Sequence, residues 1–479
     1  MAYRTPGVYV KEISVFPPSV AEVETAIPAF IGYTEKAEKN GEGITLPTRI
    51  SSLKEFEEYF GKGPVQKADA YTIDLEQWQD PTTKLITKSV VKVTTDETKL
   101  SSHNLYDSMQ LFYANGGGNC YIVSVGKFED DGPDADDLKK GIDKIRAYDE
   151  PTMIVIPEAS ALSVTEMNGV IGESIKQCFE LKDRVAIVDV KHDPKKTYIE
   201  NAEAFRTNSP ADYDQVRYAA AYYPYLITNI DVSTDADTLK IGKHSINGAD
   251  APASDTVAGK TLKEINDAKK NQLFNFLKNE IGAKLKVVLP PSPAMAGIYA
   301  RVDSARGVWK APANVSVANV VGPVINLNDD QQGELNIDAG SGKSVNVIRS
   351  FSGRGTIVWG ARTLDGNSNE WRYINVRRFF NMVEESVQKS TVWAVFEPNT
   401  KNTWVMVKSM IENYLITKWQ EGALAGAKPD DAFYVKVGLG VTMTADDILN
   451  GIMNVEIGMA VARPAEFIIL KFSHKMQVS

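Results

Sequence analysis

Two periods govern the apolar positions of this chain, and the points where one gives way to the other mark its elements. Ala26–Thr34 (AIPAFIGYT) is apolar at nearly every position and predicts a buried strand. In SSLKEFEEYFG, Leu53, Phe56 and Phe60 share one helical face, with Ser51 or Ser52 as cap and Gly61 as stop. SMQLFYANGGGNCYIVSVG predicts a helix that ends at the triple glycine and a strand from Cys120 to Val125. Over 135–230 helix and strand alternate: DLKKGIDKIRAY and VTEMNGVIGESIKQCFEL are helical, TMIVIPE and DRVAIVDV are apolar strands. That alternation implies an α/β unit around a parallel sheet. From Leu285 the chain reads KVVLPPSPAMAGIYARVDSARGVWKAPAN, to which no element is assigned, and a strand-rich stretch is expected after it to about Trp359. Two strong helices follow within 371–422, with the stripes Val376, Phe380, Val383, Val387 and Trp404, Val407, Ile411, Leu415, the second closed by Gly422. TADDILNG is a short helix with Thr444 as cap, Asp447 in the capping-box position and Gly451 at the stop.

The ends and two internal stretches differ. Residues 1–24 read as an arm, because Pro6, Gly7, Pro17 and Pro18 punctuate a β-prone stretch, Val8–Val15, too short to bury a core. At the other end Ile468, Leu470, Phe472, Met476 and Val478 alternate with Lys471, Ser473, Lys475 and Gln477, a period of two. Such a strand needs a partner, either within its own subunit or from a neighbour. Segments 62–102 and 231–280 are polar and are expected as exposed insertions, with KSVVKVTT as one hairpin arm.

Composition narrows the class. A chain of 479 residues exceeds what one core usually serves, so about two to four domains are expected. The net charge of −9 gives no basic footprint, which argues against nucleic acid. Cys120 and Cys178 sit in apolar runs and read as small buried hydrophobes of a protein made in a reducing compartment. No secretory signal is read at the N-terminus, and no apolar run approaches the roughly 20 residues of a membrane helix, so membrane insertion is not expected.

Several strings imitate chemistry. AGSGKS (Ala339–Ser344) ends like a phosphate loop, but the first glycine such a loop requires is replaced by Ile337. Its flanks predict strand, turn, strand, which makes Gly340–Gly342 a hairpin turn beside Lys343. His103, His192, His244 and His474 have no metal-ligand spacing and read as exposed. The acidic runs EDDGPDADD (Glu129–Asp137) and KPDDA lack the calcium-loop pattern. RRFF (Arg377–Phe380) reads as a helix surface paired to Glu384 and Glu385 across i, i+4, or as a docking face. No catalytic, cofactor or metal residue is assigned.

A further signal lies in longer blocks: PPSPAMAGIYARVDSARGVWKAPAN, then SFSGRGTIVWGARTLDGNSNEWRYINVRRFFNMVEESV, then VFEPNTKNTWVMVKSMIENYLITKWQEGALAG, then ARPAEFIILKFSHKM. Through them the chain resembles the tail sheath family of contractile phages and related injection systems, and TPGVYVKEI with AFIGYT is similar to that family's opening. The resemblance implies a multidomain α/β and α+β fold. Its expected parts are an N-terminal arm (1–24), an inner mixed α/β domain (25–61 and 356–465) and an insertion with connecting segment (62–125). A middle domain of subtilisin-like shape (126–355) carries the insertion at about 231–280, and a C-terminal arm strand (466–479) completes the chain. It also implies a structural role without enzymatic activity or cofactor. Subunits would polymerise as a helical stack of hexameric rings around an inner tube and contract to drive that tube through a target envelope. The open question of the last strand then resolves towards pairing in trans, with Tyr9, Val10, Lys11, Glu12, Ile13 and Phe467, Ile468, Ile469, Leu470, Lys471, Phe472 as inter-subunit contacts. Lys401, Lys408 and Lys418 are the candidates to face the tube. Expected partners are further copies, the inner tube protein, and baseplate and terminal cap proteins. Assembly is expected in the bacterial cytoplasm, as part of a phage tail or a released injection particle. The competing readings are a minor baseplate-proximal paralogue, a non-contractile surface-binding protein, and a hydrolase built on the α/β domain.

Overall fold

The structure, a computed structural model, describes residues 19–96, 99–128, 132–210 and 212–470. The chain forms two compact units, one of Glu24–Arg378 with the chain from Pro464, the other of Phe379–Arg463 with the residues up to Val23.

The larger unit is organised by a nine-stranded sheet. Its parallel core runs in space Cys120–Lys127, Pro28–Thr34, Met153–Val155, Val185–Asp189, Ala219–Tyr223, Val345–Phe351. Antiparallel strands finish both edges, Thr48–Ile50 on one side and Gly355–Val358 with Val315–Ser316 on the other. Because side chains alternate across a strand, each core strand feeds two separate hydrophobic layers. Phe30 joins Met109, Phe112, Ile298 and Tyr299 on one face. Ala29 and Ile31 join Leu138, Ile142, Val170, Ile175 and Phe205 on the other. Helices Leu105–Ala114 and Ser292–Arg306 cover the first face, and Ala135–Ile145, Val164–Leu181 and Tyr198–Asn208 cover the second. Gly297 permits the first pair to meet, since a Cβ there would lie 2.4 Å from the Phe112 carbonyl oxygen.

Local signals explain most boundaries. Ser52 caps Leu53–Phe60, and Gly61 (φ 80°) ends it. Ser163 and Glu166 form a reciprocal capping box for Val164–Leu181. Thr444 and Asp447 do the same for Ala445–Leu449.

One unassigned segment proves helical and two expectations change. Ser292–Arg306 is a helix in a segment to which no element was assigned; its first eight residues are all buried, so no amphipathic stripe advertises it. Upstream of the glycine-rich loop lies a helix, Asp329–Asn336, boxed by Asn328 and Gln331, so the loop joins helix to strand and is not a hairpin turn. Segment 25–61, expected in an inner domain with 356–465, supplies Pro28–Thr34 to the middle of the large sheet, because a strand buried on both faces is satisfied only between two neighbours.

The two polar segments, expected as separate exposed insertions, build one layer together. Tyr71–Gln79 and Ile86–Thr95 form a hairpin, and Ile241–Ile246 pairs in parallel with Tyr71–Gln79, with Ala249–Asp250 beyond it. Tyr71, Ile73 and Leu75 point inward against Leu239, Ile241, Leu262, Leu277 and Ile281. Their four chain ends converge. Gln66 N–H donates to the Ser233 carbonyl (2.7 Å), Ser101 N–H to Gln66 Oε1 (2.8 Å), and Val232 N–H to the Leu285 carbonyl (3.4 Å).

Candidate assembly interface

In the smaller unit, helix Lys401–Gln420 buries Val407, Ile411 and Leu415 of the stripe read from the sequence and leaves its first member, Trp404, half-buried. A two-stranded antiparallel sheet, Phe433–Val437 with Val455–Met459, lies beside it. Its alternation puts Tyr434, Lys436 and Glu456 on the solvent face and Val435 and Ile457 on the other. Among the described residues no third strand joins either edge. Val455, Ile457 and Met459 line one wall of an apolar groove of about 920 Å³, with Phe380, Val383 and Val387 from helix Ile374–Ser390 and Val407 and Ile411 from Lys401–Gln420. At its rim Phe396 is fully exposed and holds φ at 68°, a conformation that costs a bulky residue energy. The groove and the exposed ring together leave a patch of apolar surface uncovered in this unit.

The described part of the C-terminal segment offers matching chemistry. Phe467, Ile468, Ile469 and Leu470 are 69%, 78%, 81% and 71% exposed and belong to no strand. Immediately before them, Glu466 is gripped by Arg362 Nη2 (2.6 Å), Asn336 Nδ2 (2.9 Å) and Tyr373 Oη (3.0 Å). Burial alone would raise this carboxyl, but the bonds from Arg362 and Asn336 leave it below its ordinary value. Tyr9, Val10, Lys11, Glu12, Ile13, Lys471 and Phe472 lie outside the described residues.

The three lysines separate. Lys401 is exposed, and Lys408 is half-buried and pairs with Glu412 (3.6 Å). Lys418 is only 6% exposed and is held by Glu22 and by Glu421 (2.7 Å). It is a buried internal cation of this unit, not a solvated charge on a helix face.

The strings that imitate chemistry prove structural. Lys343 is buried and donates to the carbonyls of Arg206 (2.7 Å) and Ser209 (3.0 Å). His103 and His244 are buried, contrary to the exposed reading: His103 lies 3.4 Å from Glu158, while His244 Nε2 meets Gln77 Oε1 at 2.9 Å. His192 Nδ1 lies 3.2 Å from Tyr223 Oη, and His474 falls outside the described residues. Arg377 and Arg378 are also buried. Arg377 stacks on Trp371 and Tyr218, and Arg378 binds Asp303 (2.5 Å), because both aim into the larger unit. Burial pushes the Cys120 thiol up to about 12 and the Cys178 thiol up as well.

One pair was not foreseen. Ser292 Oγ and N–H donate to Asp189 at 2.5 and 2.8 Å, at the end of strand Val185–Asp189, and burial raises that carboxyl to about 7. Both residues are buried and the serine donates to the acid, so the pair fixes a helix start and offers no accessible nucleophile. Among the described residues no group of three or more His, Cys, Asp or Glu is placed to hold a metal, and no helix is long and apolar enough to cross a membrane.

Comparison with known proteins interprets this surface. The profile of the phage tail sheath protein central domain matches residues 131–364, and that of the phage tail sheath C-terminal domain matches 367–475. The chain belongs to the tail sheath family. That family is one of structural proteins, not enzymes. The tail sheath proteins of Enterobacteria phage T4 and Vibrio phage KVP40 are 27% and 28% identical over 130 and 127 residues. Each match covers 26% of this chain and spans only 19% of the length of that relative. Solved sheath structures match more fully. The helical sheath of the anti-feeding prophage in its contracted state is 29% identical, covering 99% of this chain and 100% of the other, with a TM-score of 0.64. The sheath of the PVC extracellular contractile injection system in its contracted state is 29% identical, covers 99% of both chains and has a TM-score of 0.63. A chain of the anti-feeding prophage baseplate is 30% identical, covering 99% of this chain and 100% of the other, with a TM-score of 0.62. The sheath match thus includes the layer formed by 66–100 and 231–285, where no family motif was legible.

Proposed function

We propose that the chain is a sheath subunit of a contractile injection machine. Copies stack as hexameric rings around an inner tube between a baseplate and a terminal cap, after assembly in the bacterial cytoplasm, and repack on triggering to drive the tube through a target envelope. The observation that carries this reading is the near full-length likeness to the contracted anti-feeding prophage sheath. The apolar groove supports its finer part, in which the arms Tyr9–Ile13 and Phe467–Phe472 of neighbouring subunits add strands beside Val455–Met459. Main-chain pairing supplies affinity there, and alternate side chains entering the groove fix register. The middle of the chain takes the role of the subtilisin-like domain, and Lys401 and Lys408 remain the tube-facing candidates. Packed interfaces switch between discrete arrangements, so a few kcal/mol released per subunit suffices when many repack together.

Negative-stain electron microscopy of the protein expressed alone tests the proposal. Hollow, striated tubes are expected, together with folded monomers and no tubes when 1–18 or 467–479 is deleted. Normal tubes from either truncation rule out trans pairing. A second reading, a baseplate-proximal paralogue, draws on the baseplate match, and monomers that assemble only on a baseplate would favour it.

A further inference from the structure

We infer that each arm is rooted by a glutamate clamped onto a buried cation, and that these two clamps, Glu22–Lys418 and Glu466–Arg362, carry the load exchanged between subunits. The inference rests on the sheath reading and assigns residues to it. At the C-terminal root, Glu466 accepts from Arg362 Nε (3.0 Å) and Nη2 (2.6 Å), Asn336 Nδ2 (2.9 Å) and Tyr373 Oη (3.0 Å). These donors come from three separate stretches of chain, so a pull on the segment is shared among them. The Arg362 side chain is 3% exposed, and its Nη1 also meets the Asn336 and Gly366 carbonyls. The next residue, Phe467, opens the exposed apolar run. At the N-terminal root the same arrangement recurs in the other unit. Glu22 pairs with buried Lys418, which Glu421 of the same helix end also binds (2.7 Å), and the N–H groups of Ala21 and Val23 donate to Ser390 Oγ and Ser386 Oγ, both at 3.1 Å. In each case the cation belongs to the folded body and the anion to the chain end. Exposed ion pairs hold little, whereas a buried cation strongly retains its counter-charge. A clamp confined to the root fixes where an arm starts and leaves the rest free to reach another subunit.

The test uses the full-length protein with Glu466→Gln, Glu22→Gln and, as control, Glu173→Gln, which breaks an exposed pair with Lys176. Thermolysin cleavage is followed on the unassembled protein by mass spectrometry. Cleavage within 464–470 should accelerate about fivefold in Glu466→Gln, and within 16–25 by a similar factor in Glu22→Gln, because proteolysis tracks the opened population. Tubes of either variant should be shorter and dissolve at lower urea than wild type, and Glu466→Asp, which keeps the charge, should restore both. Should Glu466→Gln unfold the body, Tyr373→Phe removes one bond to Glu466 without stranding a charge and should show the same change at smaller amplitude. Unchanged cleavage in a folded variant overturns the clamp, as does faster cleavage with tubes of wild-type length and urea resistance. The cleavage reading needs no assembly, so it judges the clamps even where arm deletions form normal tubes and the trans-pairing reading falls.

Discussion

Phe396 shows how much one residue can say that its neighbours in sequence do not. Nothing in VFEPNT flags a left-handed phenylalanine, because backbone strain has no letter code; it becomes visible only as φ 68° beside a groove. Replacing it with glycine removes a conformational penalty of about 1–2 kcal/mol. Phe396→Gly is therefore expected to raise the urea midpoint of the monomer while weakening assembly, two opposite effects read on one variant. A midpoint that falls would mean that the ring contributes to the fold of its own subunit. Lys418 teaches the converse. Its place on a strong helix was legible, but its burial depended on Glu22, nearly four hundred positions away in the chain, and no local pattern encodes such a partner.

Elements were read best where a single period and a cap coincide. Leu53–Phe60, Val164–Leu181, Lys401–Gln420 and Ala445–Leu449 all carry one apolar stripe, a cap signal or both, and their boundaries follow from them. Ser292–Arg306 was missed because burial on every side erases the stripe, and Tyr71–Gln79 because polar residues on its solvent face disguised a clean alternation. The sheet that contains Tyr71–Gln79 also carries a pH dependence. Val257 N–H donates to His244 Nδ1 (3.2 Å), which leaves the proton on Nε2 for Gln77. Burial, then the nearby Lys270 charge, holds this imidazole below its ordinary value. The folded state thus binds fewer protons than the unfolded state, and stability is complete above about pH 6.5 and lost as the pH falls through the lowered value. Melting followed at pH 7.5 and 5.5 should show a Tm lower by a few degrees at the acid end. His244→Asn should flatten that difference, and an equal difference in the variant would place the effect elsewhere.

For the whole molecule, the parallel sheet and the family were both legible, the first from alternating elements and the second from the C-terminal blocks. The division into units was not, because it depends on which distant strand accepts Pro28–Thr34. Nor was the union of 66–100 with 231–285, two stretches that each look like solvated loops until their apolar halves face each other. Removing 67–99 alone would leave Ile241, Leu277 and Ile281 bare to water, and the protein should aggregate. Removing 67–99 and 233–284 together, each closed by a short Gly/Ser linker, should leave a soluble chain with the nine-stranded sheet intact, because Gln66 already meets Ser101 and Val232 already meets Leu285. Circular dichroism and size-exclusion chromatography separate these outcomes. The same geometry constrains ancestry. Two stretches more than a hundred positions apart in the gene form one heritable block, so a lineage that discards the first has no use for the second, and their lengths should vary in step among relatives.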